Sequence, residues 1–538
     1  MGLVQKAFSD IITFSRSSNA TRVGPDGLIQ YAPHNLLLYS QEFDNAAWTK
    51  GANVTVTANA AAAPDGTVTA DLVVSSASAD SSTNQVFQQV TVASSQTYTA
   101  SFWVRAAGAN QNITVRQTAN GVLVTNTTVA VTSTWQRVSV TFTASTNPGF
   151  AIRPDTVSNL NIYVWGAQLA VGPLALDYTP TTTAAVYGPR FDFDGSGVTS
   201  VEPIATNLLL YSQEFDNAAW VKSGATITAN TTAAPDGTTT ADTLTGNGVL
   251  GSHTILQTQA ASADGKTFSV YLKAGTNNFA QIFFDNTGVP FANFDLSTGS
   301  LGSTGSSVTA TITSAGDGWY RCVVYTSSSL ATNPRIGLVT SSTAARSESN
   351  TLSTDIYLWG AQAELSATAT SYIPTVASTV TRSADFVSVN TLSPWYNATE
   401  GTLFSEWDQS SVATGNEPYQ LQFSDGTLNN RIVLFATSIT EQLFVGTGGV
   451  AQAFIGRTTL TANQTLKAAA RVKANDFALV LNGGAASTDT SGTVPTVTQF
   501  ALGQNNLTAG TKLLNGHLRR VAYYPRALST AELQALTA

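Results

Sequence analysis

Apolar and polar residues alternate with a period of two through much of the chain. The stretches TYTASFWVRA (97–106) and RVSVTFTA (137–144) put every second side chain on one face, and clusters of Gly, Asn and Ser break the pattern between them. Short alternating strands at this spacing predict β-sandwiches or jelly rolls rather than helices. A fourteen-residue stretch, NLLLYSQEFDNAAW, occurs at 35–48 and again letter for letter at 207–220. The parallel continues downstream. APDGTVTAD (63–71) matches APDGTTTAD (234–242), TWQRVSVTF (134–142) parallels GWYRCVVYT (318–326), and IYVWGAQL (162–169) matches IYLWGAQA (356–363). DYTPT (177–181) and SYIPT (371–375) close the two copies. Each copy is long enough to be a domain, so this is a duplicated domain and not a solenoid. The second copy is the longer, and its extra residues are expected in loops. The repeated stretch itself is expected to form a first strand and its turn, with Leu36, Leu38, Phe43 and Trp48 tied to the core.

A third pattern follows from about residue 395. GTLFSEWDQ, YQLQFSDG, RIVLFATS and EQLFVGTGG read as successive strands, and AAARVKANDFALVLNGG reads as two strands around 474–476. Asn482-Gly483 is a strong hairpin signal. Ser529 and Glu532 form a capping box for one short C-terminal helix.

Composition sharpens this picture. The chain has 538 residues, of which 11% are charged against 43% hydrophobic. About 25% charged is usual. Lys and Glu, the residues of exposed helices, are scarce, and Thr, Ser, Asn and Gly replace them, which supports an all-β protein. The net charge of −8 and the lack of a basic run argue against nucleic acid as a partner. No apolar run approaches the length of a membrane span and no secretory signal is apparent. Cys322 is the only cysteine, so no intrachain disulfide forms, and its place on an expected strand makes it a buried, inert thiol.

The combination of NLLLYSQEFDNAAW, APDGT-TAD, W-R, YVWGAQL and YTPT resembles the carbohydrate-binding-module-like jelly rolls of tailed-phage virion proteins. Residues 14–40 and 187–212 look like the lead-ins that such modules carry. TRSADFVSV (381–389) with GTLFSEWD and LNGHLRRVAYYPRALSTAELQALT resembles a laminin-G-like, concanavalin-A-type lectin sandwich of the same protein class. The expected architecture is therefore all-β: two tandem β-sandwich jelly rolls followed by a concanavalin-A/laminin-G-like sandwich. The boundaries are an N-terminal attachment segment (1–33), jelly roll one (34–181), a lead-in (182–205), jelly roll two (206–376), a linker (377–394) and the lectin-like unit (395–538). The resemblance implies a virion protein made in the host cytoplasm, anchored to other virion proteins by its N-terminal segment and binding a host-surface glycan. It also implies self-association, with a homotrimer as the expected form; a charge-poor surface fits burial against copies of itself. Two other roles stand beside a fibre or receptor-binding protein: a decoration or connector protein with purely structural sandwiches, and a virion-borne polysaccharide-degrading enzyme.

Candidate chemistry is sparse. The paired tryptophans Trp48/Trp220, Trp135/Trp319 and Trp165/Trp359 are read as core, since indoles bury large areas. Trp103 with Arg105, and Tyr271 with Lys273, place an aromatic ring and a base on one strand face, a combination suited to a sugar. The loops at 410–418 and 503–510, with Asn505 and Asn506, offer amides and hydroxyls that pair with sugar hydroxyls. Glu406 and Asp408 alternate on one strand, but the third acid of a glycosidase-type strand is Ser at 410, so no catalytic role is expected. His34, His253 and His517 are scattered over three units. DFDGSGVTSVEP (192–203) resembles a calcium loop with its last acid, Glu202, one position early. No cofactor is expected; a structural calcium is compatible with modules of this type, without an assigned site.

Overall fold

The computed structural model describes residues 12–92, 96–193, 198–260, 265–285, 290–329, 332–409, 417–437, 440–458, 464–505 and 512–538. The protein is nearly all antiparallel β-sheet. The one α-helix among the described residues, Thr530–Thr537, starts at the expected capping box: the Ser529 side chain accepts from Glu532 N, and Glu532 reaches back to the Ser529 backbone. No helix among them is long and apolar enough to cross a membrane. Contacts divide the chain into two units, Tyr31–Gly188 and Pro189–Ala538, the second joined by the N-terminal residues up to Gln30.

The first unit is a sandwich of two five-stranded sheets. One has the order Val122–Val131, Gln111–Ala119, Pro148–Pro154, Val86–Gln89, Thr49–Lys50; the other Gln136–Ala144, Gln96–Ala106, Asn161–Val171, Ala70–Ser75, Val54–Ala61. The alternating residues Phe102, Val104, Val138, Val140, Ile113, Val115, Phe150 and Ile152 meet in the core with Phe43 and Trp48. The expected opening strand is a correction. Residues 36–48 are turns, and the core residue is Leu37, while Leu36 and Leu38 are half-buried. Buried polar side chains hold this segment in place of a strand ladder. Asn35 Nδ2 donates to the carbonyls of Ala167 (2.9 Å) and Thr179 (3.0 Å), Phe43 N donates to Asp71 Oδ2 (2.7 Å), and Trp48 Nε1 donates to the Tyr39 carbonyl (3.0 Å). The second copy repeats these bonds through Asn207, Asp242 and Trp220.

The second copy is a sandwich of two six-stranded sheets. Its extra length does not lie in loops alone. Two edge strands, Ser300–Thr304 and Val308–Ser314, add one strand to each sheet. The remainder lengthens the connection between Thr332–Leu338 and Asp355–Glu364.

The third sandwich has two seven-stranded sheets, and here the expected boundaries fail. Thr13–Ser15 pairs with Phe386–Val389 at the edge of one sheet, and Val198–Val201 continues the other by pairing with Gly516–Tyr524, with Phe191–Asp192 paired outside it. Described parts of the segments read as an attachment arm, a lead-in and a linker are thus strands of folded sheets. An arm free of the fold is excluded for residues 12–30, and residues 1–11 lie outside the described residues. Asn482 and Gly483 both take left-handed conformations (φ 47° and 67°) at the expected turn.

Candidate functional site

The lead-in segments meet in a buried charge cluster. Arg16, Arg190 and Arg382 surround Asp385 and Glu202, with the three guanidiniums and Asp385 fully removed from solvent. Arg16 reaches Asp385 Oδ1 at 2.8 Å, Arg190 pairs with Asp385 Oδ2, and Arg190 and Arg382 reach Glu202 Oε2 at 2.9 and 3.1 Å. Ser371 N and Oγ also donate to Glu202. Burial alone would raise the Glu202 carboxyl, but Arg190 and Arg382 outweigh it and hold it at about 2. Glu202 is therefore committed to arginines and is no calcium ligand. Asp192, the first acid of the suspected loop, accepts from Val23 N (2.8 Å) and faces His517 Nε2 (3.4 Å); the middle of that loop, 194–197, lies outside the described residues. Among the described residues no three His, Cys, Asp or Glu side chains are grouped to hold a metal ion. The missed signal was the arginine that recurs in FSRSS, GPRFD and TRSAD in a chain with so few charges.

Asp408 of the carboxylate pair accepts from His517 Nδ1 (2.8 Å) and Arg519 Nε (3.0 Å). Burial would lower the His517 imidazole, but its bonds to Asp192 and Asp408 raise it to about 10. His34 bridges the Ala32 carbonyl and Val171 N, and His253 faces the carbonyls of Gly224 and Asn350. Cys322 is fully buried, and burial pushes its thiol far up.

Five of the six expected ligand residues are among those described, and they fit a sugar poorly. Trp103 is half-buried, with the Arg137 guanidinium 4.5 Å from its ring centroid and Trp165 and Tyr178 at its edges. Arg105 lies 4.3 Å from the Tyr163 ring and 5.3 Å from that of Trp135. Tyr271 is 6% exposed among Trp359 and Tyr372, so it offers no ring face to solvent. Lys273 stands 6.0 Å from the Trp319 ring. Asn505 is buried, and Asn506 lies outside the described residues, as does most of both ligand loops.

A different face has the needed chemistry. On the outer side of the first unit's sheet, the register sets Thr49, Phe87, Ala151, Arg116 and Asn126 in one row across five strands. Ala151, fully buried at the centre, is a small floor between half-buried Phe87 and Arg116. Phe87 and Arg116, two strands apart, stand roughly 10 Å from each other. Next to this row Arg153 is buried, its Nε and both terminal nitrogens donating to Gln85 Oε1 (2.8 and 2.6 Å) and Asp80 Oδ1 (2.9 Å).

The matching row of the second copy is Val221, Leu256, Arg335, Phe283 and Phe291. The row beside it, Thr254, Gly337, Gln281 and Asn293, in which Gly337, Gln281 and Asn293 are the counterparts of Arg153, Thr114 and Thr128, is covered. Gln281 Nε2 donates to the Ala345 carbonyl (3.0 Å), Asn293 Nδ2 donates to the Ala344 carbonyl (2.7 Å), and Ser347 N donates to Gln281 Oε1 (2.6 Å). The Arg346 guanidinium lies 5.0 Å from the Phe283 ring. The lengthened connection therefore lies on the face as a plug, and Gln281 and Asn293 are fully buried beneath it.

In comparison with known proteins, residues 35–167 match the family described as carbohydrate binding domain. No curated protein matches the chain. Similar solved structures include the CBM40 of the Ruminococcus gnavus IT-sialidase bound to α2,3-sialyllactose, with 16% identity over 26% of this chain and 84% of that one (TM-score 0.24). The tandem CBM22-1–CBM22-2 domains of Paenibacillus barcinonensis Xyn10C give 12% identity over 62% and 97% (TM-score 0.24). The mouse laminin α1 chain, domains LG4-5, gives 9% over 52% and 89% (TM-score 0.21). At these TM-scores none of the three bears on function.

Proposed function

We propose that this chain is a virion surface protein, a fibre or receptor-binding protein, whose first sandwich holds a host-surface glycan on the row Phe87–Ala151–Arg116. The observation that carries the reading is a difference between the two copies: Phe87 and Arg116 are half-exposed in the segment that matches a carbohydrate binding domain, whereas their counterparts Leu256 and Phe283 are buried, with Arg346 over the Phe283 ring. Thr49, Arg116 and Asn126 offer along the row the donors and acceptors that pair with sugar hydroxyls. Phe87 supplies the apolar surface for one ring face. Each contact replaces one with water, so a single site binds at about millimolar strength, and self-association, as a trimer, multiplies it by presenting several sites at once. The virion assignment rests on the likeness of the lead-in and jelly-roll motifs to phage proteins.

The test is binding of the full chain to a glycan array and to host cells. A hit that weakens at least tenfold in Phe87→Ala and in Arg116→Ala supports the site. Retention of that hit in both variants places the sugar elsewhere, and equal, negligible adsorption to intact and polysaccharide-stripped cells removes the glycan reading.

A further inference from the structure

Both copies build a second, aromatic socket on the outer side of the other sheet. In the first it is Trp103, Trp135, Trp165 and Tyr178; in the second Tyr271, Trp319, Trp359 and Tyr372. The polar frame is the same. Trp135 Nε1 donates to the Ala62 carbonyl and Trp319 Nε1 to that of Ala233, both at 3.1 Å. Trp165 Nε1 donates to Thr69 Oγ1 (3.0 Å) and Trp359 Nε1 to Thr240 Oγ1 (3.1 Å). Tyr178 and Tyr372 bond Ser40 and Ser212.

What differs is the cover. The hairpin of strands Thr21–Val23 and Ile29–Tyr31 closes the second socket. Thr21 Oγ1 donates to the Tyr372 carbonyl (2.6 Å), Ile29 N donates to the Pro235 carbonyl (2.9 Å), and Ile29 packs on the aromatic cluster. A Cβ placed on Gly237 would stand 2.9 Å from Leu28 Cδ1, whereas one placed on the equivalent Gly66 would meet nothing within 4 Å. Accordingly Pro235 is buried and Pro64 exposed, and Trp319 is 2% exposed while Trp135 is only half-buried.

The hairpins follow a rule of reach. The one that precedes the first sandwich closes the second, and the one that precedes the second, Phe191–Asp192 with Val198–Val201, pairs with the third. Each reaches the sandwich after next, so both are spent and the first socket is left without a donor among the described residues.

We propose that the first sandwich's aromatic socket is a docking site for a β-hairpin of the 20–31 type supplied by another polypeptide. The occupant is defined by the filled copy: a Gly-Pro-Asp-Gly turn followed by two aliphatic residues that land on Gly66 and the indoles, with a backbone N–H for the Pro64 carbonyl. One copy of this chain has a single such hairpin for two sockets, so a second copy whose own hairpin is in place cannot be the donor. The inference is independent of the glycan reading, which concerns the opposite sheet.

The test uses the full chain and a cyclised peptide of residues 19–32, its hairpin verified by NMR, with binding followed by fluorescence polarisation. The expected result is one saturable site per chain, filled below about 1 mM peptide. It should weaken at least tenfold in Gly66→Asn, whose side chain occupies the Leu28 position in a left-handed turn that Asn tolerates, and in Trp135→Ala. Phe87→Ala should leave it unchanged. A peptide carrying Asp at both 28 and 29 should not bind. The proposal is overturned if the folded peptide does not bind below about 1 mM or binds Gly66→Asn as tightly as the native chain. It is equally overturned if glycan binding, rather than peptide binding, is what Gly66→Asn and Trp135→Ala abolish.

Discussion

Asp385→Asn tests whether the lead-ins are held by charge. The substitution keeps the shape and removes one of the two negative charges among three arginines, leaving Glu202 alone against Arg16, Arg190 and Arg382. Breaking a fully buried pair costs about 3–5 kcal/mol, mostly because the remaining charges stay buried without compensation. The pH dependence gives a second measure. The Glu202 carboxyl sits at about 2 when folded against 4.5 otherwise, which at about 1.4 kcal/mol per unit is about 3 kcal/mol. A carboxyl depressed by folding stabilises fully above its unfolded value. The contribution is therefore intact above about pH 4.5, shrinks as pH falls, and is gone near pH 2. Asp385 is shifted the same way, burial being outweighed by its three arginines. Hydrogen exchange is the assay, since several sandwiches do not unfold as one two-state system. Amides of Thr13–Ser15, Val198–Val201 and Phe386–Val389 should lose protection by about a hundredfold or more in Asp385→Asn at pH 7, with Tyr31–Gly188 as the unaffected control. Loss of less than threefold would refute the reasoning.

Two further outcomes follow from single sites. Trp220 is 1% exposed, with its ring 4.7 Å from that of Phe215. Trp220→Ala should destabilise its sandwich by about 3–5 kcal/mol, read from hydrogen exchange of that sandwich's core amides, and Trp48→Ala should do the same in the first; a cost under about 1 kcal/mol would place neither in a packed core. His517, between Asp192, Asp408 and Arg519, should remain protonated from pH 6 to 9 by NMR. Its folded value is raised, so the stability it lends is complete below 6.5 and declines as pH rises toward about 10; a midpoint near 6.5 would show that the carboxylates do not hold it.

What the sequence by itself determined is whatever depends on neighbours along the chain. Period-two alternation put Phe102, Val104, Val138 and Val140 in one core, because strand side chains alternate without regard to distant residues. The duplicated motifs fixed two homologous sandwiches, and Ser529 with Glu532 fixed the helix start. The stretch 35–48 was misread for a related reason: its backbone N–H groups go to the Asp71 side chain and to the carbonyls of Leu169, Thr181 and Thr182, contacts that no local pattern records. Tertiary structure alone decided which faces are covered. Trp103 and Tyr271 occupy the same register, yet Tyr271 is buried because Leu28 and Ile29, more than two hundred residues earlier, close the socket around it. Arg116 and Phe283 occupy the same register, yet only Phe283 is buried, with Arg346 of a remote connection over its ring. A strand's pattern states which side chains point outward; whether outward means solvent depends on where a remote segment lands, and that is settled by packing and hydrogen bonding between residues the sequence keeps far apart.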